Sequence, residues 1–230
     1  MVAIILAGGF GTRLKSVVSN APKPMAEING KPFLEYILQY LIKNNIKKVV
    51  MSVGYKHEVI SRYFGSEYRG ISIFYVVEDT PLGTGGAIKK CLPMIDGDNA
   101  FVINGDSFFN VDLNVLYSSY KDNTALCSLS LKKMRDFERY GSVEIDSLGN
   151  INNFIEKKYK SSGYINGGVY LVSTSLFNSY NLPEVFSFES FIQENFKDLC
   201  ATGCEFDEYF IDIGIPEDYI RAQTDLPKLL

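Results

Sequence analysis

Val2-Ala-Ile-Ile-Leu-Ala-Gly-Gly-Phe-Gly-Thr-Arg-Leu14, followed by Pro22-Lys-Pro24, is the stretch that decides the fold of this chain. Its apolar start is typical of a buried strand, and the glycines after it predict a tight turn. Because glycine has no Cβ, backbone N–H groups in such a loop approach an anion closely, and Arg13 and Lys23 add positive charge. The stretch therefore predicts a strand followed by a phosphate-binding loop. The alternative is a strand-to-helix turn that carries two surface cations.

Two common phosphate-binding fingerprints do not fit this loop. A dinucleotide-binding fingerprint requires a third glycine near position 14, where the chain has Leu14, and a Walker A loop requires Gly-Lys followed by Ser or Thr. Leu14 therefore also disfavours the alternative of an oxidoreductase built on a dinucleotide-binding domain.

Beyond the loop, short runs rich in Val and Ile alternate with segments of helical period. This alternation is typical of βαβ units, and it predicts an α/β fold with a mostly parallel central sheet and helices on both faces. In the first half the predicted strands are Val2–Leu6, Val49–Val53, Ile71–Val77 and Ala100–Ile103, and the predicted helices start at Pro32, about Glu58 and about Gly86.

The second half changes character, because its strands are predicted to form a hairpin. Ser142–Asp146 and Ile151–Ile155 flank a turn that contains a glycine, which supplies positive φ. The remaining predicted elements are a strand at Tyr164–Val172, helices at Ser175–Tyr180 and Ser187–Phe196, a strand at Phe210–Ile213 and a helix after Pro216.

Composition sets the broad class. With 230 residues, of which 46% are hydrophobic, the chain is predicted to fold as a single domain. A net charge of −4 without a block of Lys or Arg argues against nucleic acid as a partner. The sequence has no basic leader or long apolar segment, and its four cysteines are scattered, so a cytoplasmic protein without a membrane partner is expected. The 15 tyrosines and 16 phenylalanines leave a homodimer open.

The glycine-rich loop with its Pro-Lys-Pro segment resembles the signature of the sugar-1-phosphate nucleotidylyltransferases. Four more groups of segments follow in that family's order: Pro81-Leu-Gly-Thr-Gly-Gly86, Asn104-Gly-Asp106, Phe154-Ile-Glu-Lys157 with Asn166-Gly-Gly168, and Asp212-Ile-Gly-Ile-Pro-Glu-Asp-Tyr219. The resemblance spans nearly the whole chain. It implies transfer of a nucleotidyl group from a nucleoside triphosphate to a sugar 1-phosphate, with release of pyrophosphate.

The resemblance also implies an internal organisation and a subgroup. A nucleotide-binding part at about 1–110 and a sugar-binding part at about 111–230 are expected, without the C-terminal β-helix of larger relatives. Asn20-Ala-Pro-Lys-Pro-Met25 and Tyr164-Ile-Asn-Gly-Gly168 most resemble the short members that use GTP and D-glycero-α-D-manno-heptose 1-phosphate. The alternatives are UTP- or dTTP-dependent hexose-1-phosphate enzymes, a GDP-mannose pyrophosphorylase, or a non-catalytic regulatory homologue. Ile215 departs from the family's usual Thr and leaves any hydroxyl contact there open.

Two aspartates are the candidate metal ligands. Asp106 and Asp212 each follow or end an apolar run, and open α/β sheets place their ligands at strand ends. Paired carboxylates suit Mg²⁺, which keeps several waters and bridges substrate phosphates. The resemblance implies that these two residues hold Mg²⁺; the alternative is that each only caps a turn or helix.

The resemblance assigns further residues to each substrate. Arg13, Lys23, Asp106 and Lys157 are expected to be catalytic, with Lys157 on the sugar phosphate. Other expected nucleotide-binding residues are Leu6, Ala7, Gly8, Gly9, Gly11, Thr12, Glu78, Pro81, Leu82, Gly83, Thr84 and Gly105. Other expected sugar-phosphate-binding residues are Gly141, Glu156, Asn166 and Gly167. The sugar phosphate is already ionised near neutral pH, so no general base is expected.

Glu78 carries the prediction of base specificity. It lies just before the segment that resembles the family's base-recognition loop. A carboxylate only accepts hydrogen bonds, and guanine presents two adjacent donors on one edge, whereas uracil and thymine present one donor between two acceptors. Glu78 is therefore predicted to favour guanine; the alternative is an exposed side chain in a Glu-Asp-Thr-Pro turn.

Overall fold

The computed structural model describes residues 1–9, 21–121, 125–155 and 157–229. Its helices are α1 (Phe33–Lys43), α2 (His57–Phe64), α3 (Gly83–Cys91), α4 (Leu113–Lys121), α5 (Phe188–Asn195) and α6 (Pro216–Leu229). Its strands are β1 (Val2–Ala7), β2 (Glu27–Ile28), β3 (Lys31–Pro32), β4 (Lys48–Val53), β5 (Glu67–Tyr68), β6 (Ile71–Val77), β7 (Asn99–Asn104), β8 (Ser107–Phe109), β9 (Cys127–Phe137), β10 (Ser142–Ile145), β11 (Ile151–Ile155), β12 (Lys160–Ser173), β13 (Thr202–Phe206) and β14 (Phe210–Asp212).

One large sheet organises the fold. Within the described ranges it contains ten strands in the order β11-β10-β12-β7-β1-β4-β6-β5, with β9 paired to β12 and β13 paired to β9. The four central strands, β7, β1, β4 and β6, are parallel. The flanking strands β12, β10, β11 and β5 are antiparallel to their neighbours. The predicted α/β fold is therefore confirmed, with its parallel part at the centre.

Helices cover both faces of this sheet because the side chains of each central strand alternate. In β1, Ala3 and Ile5 belong to the core cluster that includes α1 and α6, whereas Ile4 belongs to the cluster that includes α3 and α5. Strands that are buried on both faces read as continuous apolar runs. The first predicted strand has this pattern for that reason.

Most predicted elements are confirmed, but the helix at Ser175–Tyr180 is wrong. The chain there forms successive four-residue turns, in which Leu176 N–H donates to Ser173 O at 3.1 Å and Tyr180 N–H donates to Phe177 O at 3.1 Å. Apolar residues spaced at three to four fit such turns as well as they fit an α-helix. The predicted hairpin is confirmed, and the turn between β10 and β11 contains Gly149 with the expected positive φ, 83°.

The carboxyl ends of the parallel strands bring the first loop and the strand β7 close together. Gly105 follows β7, and its N–H donates to Leu6 O at the end of β1, at 2.9 Å. Gly54 follows β4 and packs on the backbone of Gly8. Ligands of open α/β sheets bind at this edge, so the fold directs Gly8 and Gly9, which begin the predicted loop, and Asp106 to one place. In the part of the chain that is described, no helix is both long and apolar enough to cross a membrane.

Candidate active site

A cavity of about 450 Å³ opens at the carboxyl edge of the central strands. Predicted site residues that line it are Leu6, Gly8, Gly9, Lys23, Glu78, Pro81, Gly83, Thr84, Gly105, Asp106 and Asp212. They come from five separate segments of the chain. The fold therefore brings most of the predicted nucleotide-binding residues into one cavity, next to both predicted metal ligands.

Lys23 lies between the two aspartates. Its Nζ is 2.7 Å from Asp106 Oδ2 and 3.6 Å from Asp212 Oδ1. The strands β8 and β14 pair so that Asp212 faces Ser107, the residue after Asp106. Gly214 N–H also donates to Asp212 Oδ1 at 2.8 Å. Two acidic side chains from distant parts of the sequence thus meet around one cation.

The electrostatics of this group explain the position of Lys23. Burial raises the pKa of the Asp212 carboxyl, the neighbouring Asp106 carboxylate raises it further, and Lys23 lowers it. The two carboxylates repel each other, and Lys23 offsets part of that repulsion. A second cation at the open side of the pair would offset more of it.

The donor set fits magnesium. Mg²⁺ is commonly bound through one or two carboxylates, while waters and substrate phosphates complete its octahedral shell. Asp106 and Asp212 supply such carboxylates, and Asp106 is 46% exposed, so it is accessible to a hydrated ion. Within the described ranges these two are not joined by a third acidic, histidine or cysteine side chain. The remaining ligands would therefore come from water and substrate.

Glu78 is held in the cavity wall by hydrogen bonds to both carboxylate oxygens. Ser52 Oγ donates to Oε1 at 2.7 Å, and Leu82 N–H donates to Oε2 at 3.1 Å. Gly8 packs directly against the carboxylate, where a Cβ would collide with Oε1. Glu78 is thus a half-buried, oriented acceptor, and the alternative of an exposed turn side chain is wrong. Each carboxylate oxygen retains a second acceptor site for a ligand.

The loop that follows Glu78 is joined to the start of α5. Phe186 N–H donates to Leu82 O at 3.0 Å, and Gly85 N–H donates to Phe186 O at 3.0 Å. Gly83 has a φ of 69°, and a Cβ there would collide with Phe186 O. The glycines of Pro81–Gly86 therefore serve close packing against the segment 184–189, which belongs to the predicted sugar-binding part.

A side-chain network completes this junction. Thr84 Oγ1 donates to Glu189 Oε2 at 2.6 Å and accepts from Phe188 N–H at 2.8 Å. Ser187 Oγ also donates to Glu189 Oε2, at 2.9 Å. Because Glu189 lines the cavity together with Thr84, α5 contributes a second oriented carboxylate to the site.

The described members of the predicted sugar-binding set, which are Gly141, Lys157, Asn166 and Gly167, do not line this cavity. Gly141 directly precedes β10, which pairs with β12 so that Ser142 faces Ile165, and this places Gly141 next to Asn166. Gly167 packs on the ring of Phe109, and Lys157 is exposed just after β11. The structure therefore groups Gly141 with Asn166 and Gly167. This group lies at β10 and β12, whereas Glu78 follows β6, on the other side of the central strands β7 and β1.

A second cavity, of about 730 Å³, adjoins the first at Asp212. Tyr140, the neighbour of Gly141, lines it, as does Arg139, whose Nη2 lies 2.7 Å from Asp218 Oδ2. The two cavities thus share one of the two candidate metal ligands, Asp212.

Residues 2–228 match the protein family described as Nucleotidyl transferase. The chain belongs to the nucleotidyl transferase family. It is 54% identical over 219 residues to the D-glycero-alpha-D-manno-heptose 1-phosphate guanylyltransferase of Campylobacter jejuni. The aligned region covers 95% of this chain and 97% of that protein. It is 51% identical over 227 residues to the protein of the same name from Aneurinibacillus thermoaerophilus, with 98% of each chain covered.

Solved structures agree with the family. The crystal structure of HddC from Yersinia pseudotuberculosis has a TM-score of 0.82 and 34% sequence identity to this nucleotidyl transferase, and covers 100% of this chain and 99% of that chain. The same protein has been solved in complex with GMP-PN, with a TM-score of 0.81. The full-length agreement includes the segments that build both cavities.

Not every predicted residue of this nucleotidyl transferase can be placed. Gly11, Thr12, Arg13 and Glu156 lie outside the described residues. Ala7 and Leu82 are buried beside the cavity, where they support its wall. Glu189 and Asn104 line the cavity although neither is a predicted site residue. Asn104 falls within the Asn104-Gly-Asp106 motif, so a sequence signal exists for it, whereas Glu189 reaches the cavity only through the contacts of α5.

Proposed function

We propose that this nucleotidyl transferase transfers GMP from GTP to D-glycero-α-D-manno-heptose 1-phosphate, giving a GDP-heptose and pyrophosphate. The observation that carries the proposal is the meeting of Lys23, Asp106 and Asp212 in the same cavity as the oriented carboxylate of Glu78. Similarity at 54% and 51% identity to two enzymes named for this reaction, and the GMP-PN complex of HddC, support the choice of base and sugar.

In this proposal the chain acts mainly by positioning charged groups. The phosphate of the sugar is the nucleophile, and it attacks the α-phosphorus in line with the departing pyrophosphate. Magnesium, held by Asp106 and Asp212, would stabilise the negative charge on the phosphate oxygens. Lys23 orients these two carboxylates, and the glycines at positions 8 and 9 let the triphosphate approach the backbone. Arg13 is proposed to bind the triphosphate, and Lys157 the sugar phosphate.

A substrate matrix tests the proposal. Pyrophosphate release is measured with GTP, ATP, UTP and dTTP against heptose, mannose and glucose 1-phosphates. The highest kcat/KM is expected for GTP with the heptose phosphate, and chelation of divalent ions is expected to stop turnover until Mg²⁺ is restored. Turnover with UTP or dTTP alone would remove the guanylyl assignment. Preference for mannose 1-phosphate would favour the alternative of a GDP-mannose pyrophosphorylase.

Replacing Glu78 with glutamine is expected to reduce the preference for GTP over UTP by about tenfold or more, because the amide offers guanine a donor where the carboxylate offered an acceptor. The fold is expected to persist, since a glutamine oxygen still accepts from Leu82 N–H. The measurement is the ratio of kcat/KM for the two nucleotides. Glu67→Gln, on the exposed strand β5, is the matched control. An unchanged ratio in Glu78→Gln would show that Glu78 does not read the base.

The proposal extends to compartment and assembly. All four cysteines are free, and Cys91 and Cys127 are buried, which fits a reducing compartment such as the cytoplasm. A homodimer is part of the proposal because large apolar side chains such as Tyr63 and Phe74 are exposed. Light scattering coupled to size-exclusion chromatography measures the assembly directly, and a monomer mass would remove this part.

A further inference from the structure

The segment 138–141 connects β9 to β10 and ends at Gly141, a predicted sugar-phosphate-binding residue. Ser142, which follows it, pairs with β11 on one side and with β12 on the other. A Cβ on Gly141 would lie 3.0 Å from Ile155 O, at the end of β11. Gly141 therefore fits closely against the end of β11, two positions before Lys157, which is proposed to bind the sugar phosphate.

Two contacts hold this segment against the elements around the candidate metal ligand Asp212. The ring of Tyr140 packs edge-on against the ring of Phe210 in β14, with the ring centroids 6.1 Å apart. Arg139 Nη2 donates to Asp218 Oδ2 in α6 at 2.7 Å. Because Asp212 ends β14 and α6 is the next element, the two contacts lie on either side of Asp212 in the sequence.

The carboxylate of Asp218 has a separate partner for each oxygen. Its side chain is only 12% exposed; Arg139 pairs with Oδ2, and Arg221 Nη2 lies 3.2 Å from Oδ1. Arg139 Nη2 also donates to the hydroxyl of Tyr140 at 2.9 Å. A charge-assisted hydrogen bond to a carboxylate with little solvent exposure is stronger than an exposed ion pair. Arg139 thus ties the residue next to Gly141 to a nearly buried carboxylate of α6.

The segment 138–141 lies apart from the nucleotide cavity. All four of its residues are described, and none of them lines that cavity. In the sheet, β10 is separated from β1 by β12 and β7. Asp212 has contacts of its own, since Gly214 N–H donates to it at 2.8 Å and β14 pairs with β8. A displacement of Gly141 would therefore change the binding of the sugar phosphate more than the binding of the nucleotide.

We propose that the ion pair between Arg139 and Asp218 positions the segment 138–141, and with it Gly141, for binding of the sugar phosphate. Arg139 and Asp218 are positioning residues that act through Tyr140 and Gly141, without touching the substrate themselves. The inference deepens the proposed function and rests on it. It gives the helix α6 a role in the sugar-phosphate site.

The experiment compares Arg139→Gln with Arg221→Gln, because each variant removes one of the two arginines from Asp218. The two arginine side chains are similarly exposed, at 43% and 55%. KM and kcat for both substrates, and the melting temperature, are measured for each protein. Arg139→Gln is expected to raise the KM for the sugar phosphate about tenfold, as for a displacement below about 1 Å, and to change the KM for the nucleotide less than about twofold. Arg221→Gln is expected to leave both KM values unchanged, because Arg221 pairs with Asp218 and Asp225 within its own helix.

Further variants separate positioning from direct contact with the substrate. Asp218→Asn is expected to raise the KM for the sugar phosphate as Arg139→Gln does. The double variant is expected to add less than about a further twofold, because both changes remove the same ion pair. Arg139→Lys keeps a positive charge that can pair with Asp218, and it is expected to restore part of the loss. If Asp218→Asn does not fold, Asp218→Glu, which keeps the charge but moves it by one methylene, takes its place.

Three results would overturn the proposal. The first is an unchanged KM for the sugar phosphate in Arg139→Gln. The second is an equal change in Arg139→Gln and Arg221→Gln, or an equal change for the two substrates, since a general loss of structure has that effect. The third is a raised KM in Arg139→Gln that the Asp218 variant does not reproduce, which would show that Arg139 acts on the substrate without Asp218.

Failure of the proposed function is visible separately, in the unmodified protein. The constants are measured with whichever nucleotide and sugar phosphate give the highest activity in the substrate matrix. A different preferred base or sugar therefore removes the heptose guanylyl assignment without removing the test of the ion pair.

Discussion

Replacing Asp106 with asparagine is expected to lower kcat/KM about a thousandfold, a loss typical of removing a group that stabilises transition-state charge. Asparagine keeps an oxygen but loses the negative charge that would hold magnesium, and it weakens the contact with Lys23 Nζ, now 2.7 Å. The measurement is pyrophosphate release at saturating Mg²⁺. Retention of more than about a tenth of the activity would contradict a metal-binding role for Asp106.

The same variant is expected to stay folded, with a change in unfolding free energy below about 1 kcal/mol. Asp106 is 46% exposed, and Lys23 Nζ keeps a second partner in Asp212 at 3.6 Å. Removal of one carboxylate also relieves its repulsion of Asp212. Asp96→Asn is a matched control, because Asp96 pairs with Lys48 at 2.6 Å outside the site and should retain full activity.

Replacing Gly105 with alanine is expected to lower the unfolding free energy by about 2–3 kcal/mol, as for overpacking that a side chain cannot relieve. A Cβ there would collide with Leu6 O and lie 3.3 Å from Ala7 Cα, so β7 and β1 must separate. Asp106 is the next residue and would shift away from Lys23. A loss of activity of about a hundredfold is expected, because a displacement near 1 Å in an active site costs about that much.

Urea unfolding and pyrophosphate release measure these two effects of Gly105→Ala. Gly9→Ala is the stability control, since no described atom lies within 4 Å of a Cβ at Gly9. Its unfolding free energy is expected to change by less than about 1 kcal/mol. Equal unfolding free energies of Gly105→Ala and Gly9→Ala would show that the close approach of β7 to β1 at Gly105 does not contribute to stability.

The central part of the fold can be predicted from the sequence because its strands are buried on both faces. Ile71–Val77 is both a predicted and an observed strand, with the same bounds. The strand β9, Cys127–Phe137, is not among the predicted strands, although Leu129 and Leu131 alternate with serines at a period of two. Its role depends on pairing with β12 and with β13, which lie far away in the sequence. Local patterns do not contain such pairings.

The candidate site also contains residues that the sequence predicts and residues that only tertiary contacts bring there. The convergence of Asp106 with Gly8 and Gly9 follows from parallel strands, whose carboxyl ends share one edge. The position of Asp212 required its resemblance to a family motif, because β14 is a three-residue strand that pairs with β8. Glu189 carries no such signal. It reaches the cavity because contacts of Thr84 and Phe186 hold the start of α5 against the segment Pro81–Gly86, which is a tertiary contact.

The most direct test of this account is a crystal structure of the protein with GTP and Mn²⁺ in place of Mg²⁺, since anomalous scattering locates Mn²⁺. The metal is expected at about 2.0–2.2 Å from oxygens of both Asp106 and Asp212, with the guanine edge at Glu78. A metal that contacts neither aspartate, or a nucleotide bound outside the cavity formed by Lys23, Glu78 and Asp106, would contradict it.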